Sequence, residues 1–304
     1  DQTHLTSHRS RYVLSIHTNI AAMYAQSAAA SAQSRLSTSM QRLSTGFRIN
    51  SAMDDAAGLQ IATRLSAQVS GMTVAMRNTQ NSTSMLQTAE GAFGEVTSML
   101  VRMKDLATQA ADASSHQTDR DAMQAEYDAL GLELYNVMTN TSYGGSLLLG
   151  NGSAGKGTLS EAMTFQIGAS SSETMQFDVS GKMDGLDTLL KAISANFAPG
   201  ATAGSEIATN GGANSMIDQL AAALDQVGGV RSALGAAANR LDHVHNNLAN
   251  MVTNTKAAVG RIMDVDYAAE SANMVSAQML LQASTAMLKQ SQSMQKMILS
   301  LLQP

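Results

Sequence analysis

Residues 217–262 read IDQLAAALDQVGGVRSALGAAANRLDHVHNNLANMVTNTKAAVGRI, the most regular pattern in the chain. Mostly apolar residues recur here at alternating spacings of three and four, as on the buried face of a coiled-coil helix. The members of this seam are Ile217, Leu220, Leu224, Val227, Arg231, Leu234, Ala238, Leu241, His245, Leu248, Val252, Thr255, Val259 and Ile262. The segment makes roughly 70 Å of helix at 1.5 Å per residue. A helix of this length is expected to lie along another helix.

Four further segments also show helical spacing of their apolar residues. The first helix runs from about Ile16 to Phe47, and the second begins near Gly58 and continues to about Ala107. A shorter helix covers about 118–138 with acidic residues in its first turn, and the last covers about 268–302. With 4% aromatic residues, 2 prolines and 21 methionines, the apolar content favours helices.

The middle of the chain has a different pattern. Residues 144–215 are rich in glycine, which interrupts helical periodicity and favours turns. Within them MTFQI (163–167) and MQFDV (175–179) alternate apolar and polar residues around a short polar loop, which predicts a β-hairpin. The predicted fold is therefore mainly α, with long antiparallel helices forming coiled-coil-like bundles from paired N- and C-terminal segments, plus a small β-hairpin region in the middle.

The last helix carries two apolar stripes. One consists of Leu280, Met287, Met294 and Leu301, and the other of Met274, Leu281, Leu288 and Leu302. Only Lys289 and Lys296 are charged from Ser271 onward. A single partner helix covers one stripe and leaves the other exposed, so the sequence predicts a surface for subunit assembly.

The composition excludes several classes of function. A net charge of −5 with only 14% charged residues argues against nucleic-acid binding, and the chain has no cysteine for disulfides or thiolate chemistry. No unbroken apolar run reaches membrane length, so we expect no membrane insertion. The first residues lack the apolar region and cleavage site of a secretory signal, so if the protein leaves the cytoplasm, we expect it to do so without a cleaved signal peptide.

The segment RLSTGFRINSAMDDAAGL, residues 42–59, stands out because it combines two aspartates, two glycines and two arginines. As catalytic carboxylates Asp54 and Asp55 are unpromising, because adjacent helical side chains point about 100° apart. The phosphate-loop patterns are absent. The segment is better interpreted as a joint between helices, in which Gly46 ends the first helix in a left-handed conformation. The joint and capping residues are Arg42, Gly46, Arg48, Asn50, Ser51, Asp54, Asp55 and Gly58.

Two details of this joint are predicted. Ser51 and Asp54 have the spacing of a capping box, and acidic residues favour a helix start. Arg42 and Arg48 are candidates for ion pairs with Asp54, with Asp55 or with a neighbouring subunit.

Two further chemical alternatives are weak. His243 and His245 could ligate a metal, but residues two apart do not share a helix face, and His245 belongs to the seam. No serine lies in a nucleophile-elbow pattern. We therefore expect a protein that is not an enzyme and that uses no cofactor or metal.

Several motifs at both ends match one known family. At the N-terminal end these are LSIHTN (14–19), RLSTGFRINSAMDDAAGLQIATR (42–64) and QTAEGAFGEV (87–96). At the C-terminal end they are ALGAAANRLDHVHNNL (233–248), RIMDVDYAAESANM (261–274), QMLLQASTAML (278–288) and ILSLL (298–302). On these motifs and FQIGASSSETM in the middle, the sequence resembles the bacterial flagellins, in a short form with little or no outer variable domain. The resemblance extends over nearly everything from Leu14 to Gln303.

The resemblance implies a division into domains. Residues 14–44 with 268–304 form an inner core of helices, 45–57 and 263–267 form a linking spoke, and 58–180 with 213–262 form an outer core of helices and hairpin. Residues 181–212 are a short variable segment in place of outer domains. Residues 1–13 precede the usual start and are an N-terminal extension or a cloning remnant.

The resemblance also implies a function. The chain is expected to be the structural subunit that polymerises with itself into the bacterial flagellar filament for swimming motility, outside the cell, with terminal helices that fold on assembly. Implied partners are the flagellar type III export apparatus, an export chaperone, and the filament cap and hook-junction proteins. A Toll-like receptor of the host is a further candidate partner, through Arg102, Leu106, Gln109 and Glu126. The alternatives are a hook–filament junction protein and a surface-exposed glycan-binding homologue.

Overall fold

The computed structural model describes residues 19–150, 156–198, 200 and 202–302. In these residues six α-helices dominate, which confirms the predicted mainly α fold with long helices. The helices are α1 Ile20–Thr45, α2 Ala56–Ala110, α3 Gln117–Asn140, α4 Ser180–Ile193, α5 Asn210–Met263 and α6 Tyr267–Leu302. The expected extension at residues 1–13 lies outside the described residues, as do 14–18 of the expected inner core.

Two small antiparallel strand pairs lie in the middle of the chain. The strands are β1 Ser142–Tyr143, β2 Ser146–Leu147, β3 Met163–Gln166 and β4 Thr174–Phe177. The β3–β4 pair, in register from Met163 opposite Phe177, confirms the predicted hairpin. The sequence analysis missed the β1–β2 pair. Its turn, Gly144-Gly145, has φ of 61° and 88°, and two positive φ values are what a tight type I′ hairpin turn requires.

The chain divides into two compact units. One, here called the terminal unit, contains residues up to Leu65 and from Ala257 onward, and the other, the middle unit, is Ser66–Lys256. The assignment of inner core, spoke and outer core to particular residue ranges stays a prediction.

In the terminal unit α1 packs along α6. Apart from Glu270 of α6, the residues buried in this pair are small: Ala32 and Ser39 from α1, and Ala277 and Ser291 from α6. Small side chains allow close approach of the helix backbones but bury little apolar surface per residue. Asn19 ties the start of α1 to the far part of α6, because its Nδ2 donates to Ser291 Oγ at 2.8 Å while its Oδ1 accepts the backbone N–H of Ala22 at 2.9 Å.

The middle unit has the larger hydrophobic core, formed by parts of α2, α3, α4 and α5. On α5 the seam differs from the predicted one. Leu220, Leu234 and Leu241 are fully buried as expected, but at alternate positions the buried residue is the one before the predicted residue. These buried residues are Ala223, Val230 and Ala237 in place of Leu224, Arg231 and Ala238. Arg231 instead forms an ion pair at 2.6 Å with Glu90 of α2.

Helix α4 was not predicted, because residues 144–215 were interpreted as lacking helical periodicity. Its buried residues Met183, Leu186, Leu190 and Ile193 do follow a helical 3,4,3 spacing and join the core of the middle unit. The helix is only 14 residues long and contains Gly181 and Gly185, which lower intrinsic helix propensity. Burial of its apolar face stabilises it instead.

A polar network fastens the segment after α4 to α3. Gln124 Nε2 donates to Asp128 Oδ1 at 2.8 Å and to Glu206 Oε2 at 2.7 Å, and its Oε1 accepts the N–H of Ile207 at 2.8 Å. The hydroxyl of the buried Tyr127 donates to the carbonyl of Ile193 at 2.8 Å. Burial, followed by the nearby Glu206 carboxylate, raises the pKa of Tyr127.

Among the described residues, no helix combines the length and the apolar character needed to cross a membrane.

Candidate assembly face and helix joint

One apolar stripe of α6 is exposed. Leu280, Met287 and Met294 are 50%, 64% and 52% exposed and follow each other at intervals of seven residues. In the other stripe Leu281 and Leu288 are half-buried. The side chain of Leu301, the fourth residue of the exposed stripe, lies outside the described side chains. We call Leu280, Met287 and Met294 the assembly stripe.

Helix α1 is exposed in a similar way at its start. Ile20, Met23 and Tyr24 all have large apolar side chains and are well exposed. The α1–α6 pair thus leaves large apolar side chains exposed and buries mostly small ones, unlike a helix pair that is stable by its own packing.

The joint holds two segments that are distant in sequence side by side. The N–H of Arg48 donates to the carbonyl of Met263 at 2.6 Å, and the N–H of Val265 donates to the carbonyl of Gly46 at 3.0 Å. Arg48 Nη2 donates to the carbonyl of Ile262 at 2.7 Å. The end of α1 is therefore hydrogen-bonded to the segment between α5 and α6.

Gly46 has a conformation that other residues rarely adopt. Its φ is 77°, and its N–H closes α1 by donating to the carbonyl of Arg42 at 2.9 Å. A Cβ at this position would lie 3.0 Å from the hydroxyl of Tyr267. Both the backbone and the neighbouring side chain therefore favour glycine.

Asp54 stabilises a turn and not the start of α2. Its Oδ2 accepts the N–H of Ser51 at 2.9 Å, the N–H of Asn50 at 3.1 Å and the Ser51 hydroxyl at 3.2 Å. The hydrogen bond from the backbone of Ser51, followed by that of Asn50, lowers the pKa of Asp54. The predicted capping role of Ser51 and Asp54 for α2 is thus wrong, because both residues lie in the turn before the helix.

Asp55 is the residue that caps α2. Its Oδ1 accepts the N–H of Gly58 at 2.8 Å, and its carbonyl accepts the N–H of Leu59 at 3.0 Å. Glycine is favoured at position 58, since a Cβ there would clash with the Asp55 carboxylate. Asn50 fixes the preceding loop by donating from Nδ2 to the carbonyl of Phe47 at 2.9 Å.

Arg42 is the charged centre of the joint. Its guanidinium lies 3.8 Å from the carboxylate of Asp54 and 3.7 Å from that of Glu270. Glu270 is only 7% exposed. Arg48 forms no ion pair with Asp54 or Asp55 within the described residues, because its guanidinium is directed to the Ile262 carbonyl. Sequence reasoning missed Glu270, although an acidic residue in the first turn of the last helix was a visible signal.

The candidate receptor residues of α2 and α3 do not all reach the surface. Arg102 and Glu126 are exposed and form an ion pair at 2.6 Å, and Gln109 is exposed. Leu106, however, is 2% exposed and belongs to the core. The predicted receptor contact through Leu106 is therefore wrong, because Leu106 lies on the stripe of α2 that packs inward.

The histidines of α5 show no metal-binding arrangement in the described residues, where no three His, Asp or Glu side chains converge on a site. His245 Nδ1 lies 3.5 Å from the hydroxyl of Thr79 on α2.

Comparison with known proteins places the chain in a family. Residues 16–154 match the bacterial flagellin N-terminal helical region, and residues 215–302 match the bacterial flagellin C-terminal helical region. The chain belongs to the flagellin family. Polar flagellin F of Vibrio parahaemolyticus serotype O3:K6 is 35% identical over 95% of this chain and 99% of that protein.

Two further flagellins are similar. The flagellin of Halalkalibacterium halodurans is 36% identical over 94% of this chain and 99% of that protein. The crystal structure of Bacillus cereus flagellin matches with a TM-score of 0.47 and 29% identity, over 60% of this chain and 94% of that chain.

Membership of the flagellin family confirms several predictions. Flagellins are structural proteins and not enzymes, and they form the extracellular filament of the bacterial flagellum, which serves motility. The chain is accordingly a filament subunit that polymerises with copies of itself. At 304 residues it is a short flagellin.

Proposed function

We propose that the chain polymerises through the assembly stripe of α6, which neighbouring copies bury in the filament. The observation that carries this proposal is the exposure of Leu280, Met287 and Met294 at heptad spacing on a helix whose other stripe is half-buried. Seven-residue spacing keeps the three side chains in one line, as a partner helix requires. Repeated contacts of this kind that do not close into a ring generate a filament.

The terminal helices fold on assembly. The α1–α6 pair buries mainly small side chains, so its own packing supplies little free energy against the entropy of ordering both helices. Burial of the assembly stripe and of exposed groups such as Ile20 and Tyr24 by neighbouring copies supplies the remainder.

A pair of charge substitutions tests the stripe. Met287→Glu places a carboxylate in the surface that must become dry, whereas Gln282→Glu makes the same charge change at an exposed polar position of the same helix. We expect Met287→Glu to abolish filaments in electron microscopy and sedimentation, while Gln282→Glu retains them. Equal filament yields for the two variants would exclude the stripe as an assembly surface.

Limited proteolysis of the monomer tests folding on assembly. We expect rapid loss of both ends, roughly before Gly58 and after Arg261, and a resistant middle. The core of the middle unit, with fully buried residues such as Phe93 and Leu134, explains that resistance. Ends that resist as long as the middle would contradict the mechanism.

The residues of the joint set the geometry between the helices that it connects. Gly46, Asp54 and Asp55 each satisfy backbone groups at a helix end or turn, and Arg42 connects the turn before α2 to α6. In this proposal these residues position the helices and have no catalytic role, so substitutions there should alter assembly.

Membership of the family supports a proposal of further partners beyond self-assembly. We assign the flagellar type III apparatus as the export route, a chaperone to α6 before assembly, and the cap and hook-junction proteins to the two ends of the filament. If the chaperone covers the assembly stripe, Leu280→Glu should weaken its binding in calorimetric titration, and Gln282→Glu should not.

A host Toll-like receptor is the proposed partner of Arg102, Gln109 and Glu126, whose side chains are exposed on the middle unit. A reporter assay with Arg102→Ala tests the contact, with Lys104→Ala as a charge-matched control on the same helix. Unchanged signalling by Arg102→Ala would exclude it.

The two alternative functions, a hook–filament junction protein and a glycan-binding homologue, predict different experimental results. A hook–filament junction protein would not form long filaments under any seed or salt condition. A glycan-binding homologue would bind surface polysaccharides saturably. Deleting 181–212 is an unsuitable test of that binding, because Met183, Leu186 and Leu190 of this segment are in the core. Substitution of exposed residues of α4, such as Thr188, is the appropriate one.

A further inference from the structure

The methionines of the chain are distributed unevenly between the two units. Of the 21 methionines, those in the middle unit are buried or half-buried, with Met251 as the exception. The exposed ones are Met23, Met40, Met53, Met251, Met279, Met287, Met294 and Met297. Exposure of the thioether therefore concentrates in the terminal unit, and two of these residues, Met287 and Met294, belong to the assembly stripe.

We propose that Met287 and Met294 form a redox-sensitive modification site, at which oxidation by hydroperoxides prevents polymerisation until a methionine sulfoxide reductase restores the thioethers. The inference rests on the proposed assembly role of the stripe. It adds the chemical class of the modifying agent, the two atoms that react and the consequence for assembly.

The reaction is a two-electron oxygen transfer. A lone pair of the methionine Sδ attacks the distal oxygen of hydrogen peroxide, the O–O bond breaks, and an S–O bond forms. The departing hydroxide takes up the proton of the oxygen that is now bound to sulfur and leaves as water. Sulfur is thereby oxidised and the peroxide is reduced. Because the chain contains no cysteine, no thiolate within it competes for the oxidant.

The product does not suit the surface on which it forms. A sulfoxide replaces a flexible apolar group by a polar one with a strong hydrogen-bond acceptor. In the assembly stripe, Leu280 precedes Met287 by two helical turns. In the filament, a neighbouring copy must exclude water from the whole stripe. A buried sulfoxide without a donor costs free energy, whereas the exposed sulfoxide of the monomer is solvated. Oxidation therefore favours the monomer.

The experiment treats the full-length monomer with graded hydrogen peroxide, maps sulfoxides by peptide mass spectrometry and measures filament yield by sedimentation. We expect Met287 and Met294 to oxidise about tenfold faster than the fully buried Met103 and Met183. Filament yield should fall as these two residues are oxidised, and treatment with methionine sulfoxide reductase should restore it. Equal oxidation of buried and exposed methionines, or an unchanged yield from oxidised chain, would overturn the inference.

Leucine variants assign the effect to residues. The double variant Met287→Leu/Met294→Leu keeps the volume and helix propensity of the stripe but lacks the thioethers. Its filament yield after a peroxide dose, expressed relative to its own untreated yield, should fall far less than that of the wild type. Met53→Leu, at a 97% exposed position of the joint, should remain as sensitive as the wild type.

The outcomes separate the inference from the proposed function. If the untreated chain polymerises but the double variant is as peroxide-sensitive as the wild type, the inference fails and the assembly role stands. If Met287→Glu polymerises normally, the proposed assembly role of the stripe fails, and the inference fails with it.

Discussion

The guanidinium of Arg42, in the last turn of α1, lies 3.7 Å from the carboxylate of Glu270, in the first turn of α6. The same guanidinium lies 3.8 Å from Asp54, so one cation serves both the α1–α6 pair and the turn that precedes α2. Arg42 Nε is buried without a hydrogen-bond partner, which makes these two carboxylates its principal compensation.

Replacing Glu270 should therefore weaken the terminal unit. Glu270→Gln keeps the shape but leaves the partly buried Arg42 with a single, distant carboxylate. We expect a loss of about 1 kcal/mol per subunit, below the value for a fully buried pair because more than a quarter of the Arg42 side chain is exposed. The melting temperature of the filament, followed by circular dichroism, should fall by roughly 2–4 °C. Asp218→Asn, on the exposed face of α5, is the control and should leave the melting temperature unchanged.

Gly46→Ala should destabilise the joint. With φ at 77°, a Cβ is strained by about 1–2 kcal/mol, and it also approaches the Tyr267 hydroxyl. Gly228→Ala is the matched control, because Gly228 lies inside α5 and a Cβ there meets nothing within 4 Å. We expect Gly228→Ala to be neutral or stabilising, since alanine favours helix. Filament yield and swimming speed provide the measurement, and equal effects of the two substitutions would contradict the role of the left-handed conformation.

Much of the fold could be predicted because large apolar residues repeat over long segments. Leu220, Leu234 and Leu241 recur at multiples of seven, and no other face of α5 offers side chains of that size so regularly. The alternate seam positions could not be predicted with the same certainty. Ala223 and Leu224 are both apolar, and which of them turns inward depends on the direction from which the partner helix approaches.

The shorter elements escaped prediction for a different reason. The Gly144-Gly145 turn and the 3,4,3 spacing of α4 were visible, but each is short and lies inside a segment dominated by glycine. At the joint, the residue types predicted the turn and the left-handed glycine. Which of Asp54 and Asp55 stabilises the turn and which caps α2 depends on where the first helical hydrogen bond forms. Two adjacent identical residues do not indicate that position.

The joint should show a defined dependence on pH. Hydrogen bonds from the backbone of Ser51 and Asn50 lower the pKa of Asp54. A carboxyl whose pKa is lower in the folded state contributes stability above its unfolded pKa of about 4 and loses that contribution as pH falls through the folded value. Asp54→Asn removes the contribution at every pH. The wild type should therefore form more stable filaments than Asp54→Asn at pH 7, and the difference should disappear as the pH falls through the lowered pKa of Asp54.

The midpoint of filament dissociation, recorded by light scattering from pH 7 to pH 2, measures this difference. Asp105→Asn, an exposed carboxyl of α2, should follow the wild-type curve throughout. A constant gap between wild type and Asp54→Asn down to pH 2 would mean that the carboxylate charge does not stabilise the turn.

Leu106 and Gln109 should separate stability from receptor recognition. Leu106 is 2% exposed in the core of the middle unit, so Leu106→Ala removes buried methyl groups and should lower the free energy of unfolding by about 2–5 kcal/mol. Gln109 is exposed, and Gln109→Ala should change it by less than about 0.5 kcal/mol. Urea unfolding of the full-length chain, followed by circular dichroism, measures both. A reduced receptor response from Leu106→Ala therefore reports a destabilised middle unit, whereas a reduced response from Gln109→Ala at unchanged stability reports a lost contact.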